Sequence, residues 1–347
     1  VQKTITSKQI AELSGVNAST VSRVFNPDCG YSISESVRKR VLAVAEKYEY
    51  VPKTSARSLA HGKSFNLGII LDTLVVDLTS PHFALLLKGF VLEALRRGYQ
   101  TSLLPVEGEN IDSEVVKQIR GGNADAFFIG SCMAGSKTMR ELEKRQLPIV
   151  IYKAKAAPSL NNVVYHHIDS TLAYHKMFEL IKDRGFREAA FLGISKNSIN
   201  SNRYNMLQET KFADFKLSKH LSYTGDTSFF NIRSEATIAC VKIFDQIKKH
   251  RLIICQNDCI ALGLCDAMRL HNMIPGKDIS VIGYDNFEAS PSAACDKPIL
   301  ATIDNHYLET GIKMAHALID RLNNTNTRNE LRIQAEFIPR ESLGYNE

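Results

Sequence analysis

Ala18, Ser19, Ser22 and Arg23 fall on one side of a short segment whose other side carries Val21, Val24 and Phe25. The first four are small or hydrogen-bonding, as close approach to the edge of a DNA duplex demands. Arg23 can donate two parallel bonds to O6 and N7 of guanine, the commonest base-specific contact. Thr20 and Asn26 are placed for phosphates, which position a protein on DNA without reading sequence. Other reactive side chains give less. Cys255, Cys259 and Cys265 share a region, but one falls in a strand pattern and two in a helix pattern. Their spacing is not that of a zinc site, and they read as buried apolar residues. His166-His167-x-Asp169 has the types of a metal site or a general base but no partner motif. Neither phosphate-cradling glycine pattern, G-x-x-x-x-G-K-[ST] or G-x-G-x-x-G, occurs. No catalytic residue, metal or cofactor is expected, and the chain is not read as an enzyme.

The elements that must position Arg23 are short helices. Thr6-Ser7-Lys8-Gln9 is a capping box, with Thr6 at the N-cap and Gln9 three residues in. Ile10, Ala11 and Leu13 give the first helix an apolar side, and Ser14-Gly15 stops it. Asn17 is placed to cap a second helix and Ser34 a third, in which Val37, Val41, Val44 and Ala45 recur at helical spacing. A helix, a glycine turn and a second helix make a helix-turn-helix, whose second helix enters the major groove. Residues 53–64, KTSARSLAHGKS, read as a polar, basic linker able to form one or two helical turns. Charge agrees: residues 1–64 hold ten Lys and Arg against five Asp and Glu, while the remaining 283 are nearly balanced. A basic head on a neutral body is either a nucleic-acid-binding surface or a solvated basic face.

From Phe65 onward the pattern changes. Strand-length apolar runs at Asn66–Leu71, Gln100–Leu104, Ala126–Ile129, Ile149–Tyr152, Ala189–Leu192, Leu252–Cys255 and Ser280–Tyr284 alternate with helical patterns. Those patterns cover Ala84–Arg97, Ser113–Arg120, Lys137–Arg145, Thr171–Arg184, Ser234–Lys249 and Ile260–His271. Such alternation argues for an α/β body with parallel sheets, and its length suits two lobes. No apolar run reaches the ~18 residues of a membrane span, and the N-terminus lacks the apolar region of a secretory signal. A cytoplasmic protein without a membrane partner is expected.

TSKQIAELSGVNASTVSRVFN followed by ISESVRKRVLAVAEKYEYVPKTSARSLAHGKS resembles the head and hinge of the lactose-repressor/galactose-repressor (LacI/GalR) family of bacterial transcription regulators. T-V-S-R-V-x-N, Y-x-P and A-R-S-L match in order and spacing. Further on, Ser80-Pro81-His82-Phe83, the run Arg184–Gly193, Asn257-Asp258 with Ala261-Leu262-Gly263, and the run Ile279–Asn286 resemble family segments. The likeness covers essentially the whole chain. It implies an all-α head over 1–52, a hinge over 53–64, and an effector-binding and dimerising core over 65–347 of the two-lobed periplasmic-binding-protein kind. The implied crossovers fall near Tyr165–Asp169, Lys297–Thr302 and Arg328–Leu331. Lobe one is then about 65–165 plus 302–328, and lobe two about 168–298 plus 331–347.

The resemblance also implies partners and roles. The hinge would fold on double-stranded, near-palindromic operator DNA, with Leu59 as the wedging leucine and Ala56 on the same face. Thr6 joins Ala18, Ser19, Thr20, Ser22, Arg23 and Asn26 in the DNA-facing set. The small-molecule effector, a sugar or sugar derivative, would meet His82 and Phe83 in the first-lobe turn. Lys153 follows the strand Ile149–Tyr152, Arg203 lies in the turn after Ala189–Leu192, Asn257 ends Leu252–Cys255, and Asp285 ends Ser280–Tyr284. Many relatives carry aspartate where Lys153 stands. The lysine either makes the pocket cationic, favouring a carboxylate or phosphate, or points to solvent. Phe229 or Phe230 either stacks on a sugar or packs in the core. A chain ending Tyr345-Asn346-Glu347 without a heptad tail is expected to form a homodimer. The expected function is a dimeric, ligand-responsive repressor of a carbohydrate operon. The rivals are an activator of the same family and a solute-binding module without DNA function.

Overall fold

The computed structural model describes residues 5–25, 33–51, 62–72, 80–108, 110–121, 124–130, 135–153, 160–194, 198–223, 229–290, 295–325 and 328–344. Asn26, Ala56 and Leu59, and with them most of the hinge, lie outside the described residues.

The head holds three helices, α1 (Ser7–Ser14), α2 (Ala18–Val24) and α3 (Glu35–Lys47). The capping box forms as its residues dictate: Thr6 Oγ1 accepts from Gln9 N at 3.3 Å, and Gln9 Oε1 accepts from Thr6 N at 2.9 Å. Gly15 ends α1 at φ 61, a left-handed cap that glycine adopts without strain. Asn17 and Ser34 stand at the N-caps of α2 and α3, yet neither side chain makes the capping bond expected of it. Position alone does not secure a cap. Ser34 Oγ instead lies 3.2 Å from Ser36 Oγ. Ile10, Ala11, Val21, Val24 and Val41 form one small buried cluster, with Phe25 meeting Tyr50 edge to face at 5.7 Å.

The body is α/β. A six-stranded sheet runs in the order β11-β5-β4-β3-β1-β2 and a four-stranded sheet in the order β7-β6-β8-β9. The first set comprises β1 (Asn66–Asp72), β2 (Gln100–Val106), β3 (Ala126–Gly130), β4 (Ile149–Tyr152), β5 (Val163–Asp169) and β11 (Glu330–Gln334). The second comprises β6 (Glu188–Ile194), β7 (Lys216–Tyr223), β8 (Leu252–Cys255) and β9 (Ser280–Ile282). The pairings of β3 with β1 and β4, of β5 with β4 and β11, and of β8 with β6 and β9 are all parallel, as strand–helix alternation requires. Two short strands, β10 (Thr302–Asp304) and β12 (Glu336–Ile338), pair antiparallel as a separate ribbon.

The lobe boundaries move. β5 and β11 stay side by side to the register Gln334↔Asp169, so the chain leaves the larger sheet after Asp169 and after Gln334. Ile303 O accepts from Asp285 N at 2.8 Å, which keeps the second crossing strand beside the smaller sheet past Thr302. β5 thus ends inside the expected crossing at Tyr165–Asp169, while the other two strands run past the expected Thr302 and Leu331.

The helices between strands are α4 (Pro81–Arg96), α5 (Ile111–Arg120), α6 (Ser136–Arg145), α7 (Thr171–Asp183), α8 (Ser198–Thr210), α9 (Phe229–Lys242), α10 (Phe244–Ile247), α11 (Asp258–Leu270) and α12 (Tyr307–Leu322). The single helix expected over Ser234–Lys249 is two, broken at Ile243. In the first lobe α4 and α12 pack backbone to backbone. A Cβ on Gly89 would stand 2.0 Å from Leu308 O, and one on Gly311 would stand 1.9 Å from Leu86 O. Phe127 and Phe128 of β3 and Phe90 of α4 are fully buried nearby.

Candidate effector cleft and nucleic-acid interface

The C-terminal ends of strands from both sheets deliver the polar residues of the body, the position where open parallel sheets hold ligands. β9 hands over to Tyr284 and Asp285, β8 to Gln256 and Asn257, β4 to Lys153, and β10 to Asn305 just ahead of α12. Asp285 is the centre. Its Oδ1 accepts from Arg203 Nη2 at 3.2 Å, from Tyr307 Oη at 2.7 Å and from Asn305 Nδ2 at 3.2 Å. Arg203 also donates to the Gln256 carbonyl, and its guanidinium carbon lies 3.7 Å from the centroid of the Tyr284 ring. Burial opposes the charge on Arg203, but Asp285 together with Tyr284, Tyr307 and Tyr174 outweighs it and holds the guanidinium protonated above its ordinary range.

The backbone here is held in uncommon conformations. Asp285 has φ 110, Asn286 φ 53, Lys153 φ 55 and His306 φ 50. Non-glycine residues seldom take positive φ, and such strain persists where the surroundings over-determine it. The bond from Asp285 N to Ile303 and the three donors on its carboxylate supply that determination.

Lys153 turns its ammonium toward this group. Nζ lies 5.2 Å from the centroid of Tyr152 and 5.9 Å from that of Tyr307. Lys153 as a residue is exposed. Desolvation at its ammonium pushes its pKa down to about 8, with Asp285 opposing and Arg203 adding to the fall. Lys153 N donates to His166 Nδ1 at 3.3 Å, and the buried His166 ring stacks on Tyr152 at 5.0 Å. Burial, then the charge of Lys153, holds His166 down to about 3, so the ring is neutral. His82 comes within 5.3 Å of the Tyr307 ring.

The structure therefore brings Lys153, Arg203, Asp285 and His82 around Tyr307. It does not bring all the expected residues. Phe83 is buried in α4, and no described contact joins it to Arg203 or Asp285. Asn257 spends its Oδ1 as the N-cap of α11, accepting from Ile260 N at 2.9 Å. Arg203 sits on α8 and not in a turn. Phe229 and Phe230 open α9, with side chains outside the described residues. Tyr152, Tyr284, Asn305 and Tyr307 escaped the sequence reading, the three tyrosines because aromatic residues beside apolar runs look like core. The cue was Tyr284-Asp285-Asn286 matched by Asn305-His306-Tyr307: polar groups where two strands stop.

The other candidates disperse. His167 Nδ1 lies 3.3 Å from Glu330, and Asp169 pairs with Arg332 at 2.6 Å. Among the described residues no group of three or more His, Cys, Asp or Glu could hold a metal. Burial pushes the Cys259 and Cys265 thiols up to about 12, and Cys255 is buried in β8. Among them, too, no helix is long and apolar enough to cross a membrane. On the head, Ala18, Ser19 and Ser22 are exposed, while Thr20 and Arg23 are half-buried on the same helix. Thr6 is exposed, with its backbone N–H and hydroxyl committed to Gln9.

A helix-turn-helix head joined to a two-sheet body with a polar cleft is the build of a ligand-responsive, DNA-binding transcription regulator. Residues 6–53 match the model of the lacI family of bacterial regulatory proteins, and residues 178–343 match that of the periplasmic binding protein-like domain. Over residues 6–53 the chain is thus similar to the lacI family of bacterial regulatory proteins. It is 24% identical over 345 residues to the HTH-type transcriptional regulator AglR of Rhizobium meliloti (strain 1021), covering 97% of this chain and 94% of the relative. Its fold is similar to that of a lac repressor dimer bound to operator and the anti-inducer ONPF, with TM-score 0.75 and 18% identity over 99% and 100% of the two chains. It is also similar to a complex of the transcriptional regulator CelR with cellobiose, with TM-score 0.63 and 20% identity over 97% and 99%.

Proposed function

We propose that this regulator is a cytoplasmic, dimeric repressor whose cleft binds a sugar or sugar derivative and thereby changes its hold on a near-palindromic operator. The carrying observation is that Asp285, on the smaller sheet's side, gathers donors from α8 of its own lobe and from α12 of the other. A ligand that competes for these bonds interacts differently with the lobes at different angles, and only such a difference can couple a ligand to a distant site. In this reading His82, Lys153, Arg203 and Asp285 meet the effector, with Tyr152, Tyr284, Asn305 and Tyr307 added to them. Phe83 and Asn257 act behind them, in packing and capping. Thr6, Ala18, Ser19, Thr20, Ser22, Arg23 and Asn26 face DNA, and Ala56 and Leu59 lie in a hinge over 53–64. One head reads a half-site, which calls for two. Arginine, aspartate and asparagine beside tyrosine rings suit hydroxyl-rich ligands, and the cellobiose complex of a neighbour and the operator-bound dimer of another agree with this assignment.

The test is duplex selection with the full chain, followed by operator titrations with and without each compound that raises its melting temperature. A bound compound should change operator affinity in wild type and leave it unchanged in Arg203→Ala. An Arg203→Ala protein that responds to the same compound at the same concentration refutes the assignment.

A further inference from the structure

Among the described residues, one cation of the cleft is left without an ion pair. Arg203 and Asp285 neutralise each other at 3.2 Å. Lys153 is the remaining cation, and among the described residues it makes no ion pair; its ammonium rests against the rings of Tyr152 and Tyr307. The nearby Asp304 carboxylate is engaged elsewhere, accepting from Asn286 at 2.9 Å and from the backbone of His306 at 2.7 Å. The lysine is also held in place, by its left-handed backbone and by its bond to the buried His166. A second group points the same way. The Tyr152 hydroxyl is buried and has no hydrogen-bond partner among the described residues. Its ring carries the Lys153 ammonium at 5.2 Å, which places it beside the cleft. A buried hydroxyl without a partner costs ~1–3 kcal/mol, so a site built this way is incomplete until an acceptor arrives.

We propose that the effector is an acid, a hydroxyl-rich body bearing a carboxylate or a phosphate, and that Lys153 with the Tyr152 hydroxyl selects its anionic group. The inference rests on the cleft being the effector site. A neutral sugar leaves the ammonium unpaired as the lobes close over it, whereas an oxyanion takes a charge-assisted bond from lysine and a second from tyrosine. Hydroxyls of the same ligand are left to Asp285, Asn305 and Arg203.

Calorimetric titration of the full chain with matched probes tests this: glucose against glucuronate and glucose 6-phosphate, and ribose against ribose 5-phosphate. At least one acid should bind about tenfold or more tightly than its neutral parent. Lys153→Met should erase that preference, weakening the acid far more than its neutral parent, and Lys153→Arg should restore part of it. Neutral parents binding as tightly as every acid, an acid preference that survives Lys153→Met, or no acid bound at millimolar concentration each overturns the proposal. Arg203→Ala separates the two readings. If it retains full binding of a preferred acid, the cleft assignment itself fails. If it loses all binding while Lys153→Met keeps the acid preference, only the charge inference fails.

Discussion

Replacing Asp285 by alanine should destabilise the body more than replacing Arg203, although the two are partners in one ion pair. The side chains retain 14% and 16% exposure, so both charges sit largely out of water. Without Asp285, Arg203 keeps only the Gln256 carbonyl and the face of Tyr284, while Tyr307 loses its acceptor. Removing one member of a buried pair in this way costs ~3–5 kcal/mol. Without Arg203, Asp285 still accepts from Tyr307 and Asn305. The loss is then the bonds to Asp285 and to the Gln256 carbonyl and one ring contact, on the order of 1–3 kcal/mol. Urea unfolding of the two variants and wild type, compared at the midpoint of the transition that loses body signal, measures the difference. Asp285→Asn should fall between the two, since it keeps an acceptor oxygen. Equal midpoints for the alanine variants, or a lower one for Arg203→Ala, would refute the view that Asp285 organises the cleft.

Three further outcomes are expected. Gly311→Ala should cost about 3 kcal/mol or more by forcing α12 off α4, because its methyl would meet the Leu86 carbonyl at 1.9 Å; an unchanged melting temperature would contradict the close packing. Asp258 accepts from Thr302 Oγ1 at 2.7 Å and Phe287 N at 2.6 Å, and burial pushes its carboxyl up to about 7. The folded state therefore binds a proton that the unfolded state gives up near pH 4, and stability from this group is lost as pH rises from about 4 through about 7. The stability difference between wild type and Asp258→Asn should shrink over that window, and a flat or rising difference would contradict the assignment. Arg23→Ala should weaken operator binding by roughly 1–3 kcal/mol per half-site and relax selection at one base pair; selected duplexes identical to those of wild type would remove Arg23 from the reading set.

Much of the head was legible, since its helices advertise themselves locally: a capping box at Thr6, a left-handed glycine at 15, apolar residues at helical spacing. The parallel body was legible wherever strands are continuous apolar runs. β5 was missed because His166, His167 and Asp169 make its end polar, and α8 because Ser198–Thr210 is polar and lacks an apolar stripe. β10, β11 and β12 are short, and tertiary pairing makes them strands. The cleft followed the same rule. Arg203 and Asp285 came from the family likeness, whereas Tyr152, Tyr284 and Tyr307 matter through hydroxyls and ring faces that only a fold can bring to one place.

The most direct measurement is a pair of titrations on the full chain: operator affinity at zero and saturating ligand, and ligand affinity at zero and saturating operator. The account predicts that the two ratios are equal and differ clearly from one, because coupling through the lobes is reciprocal. Operator affinity that is the same with and without a ligand bound in the cleft would contradict it.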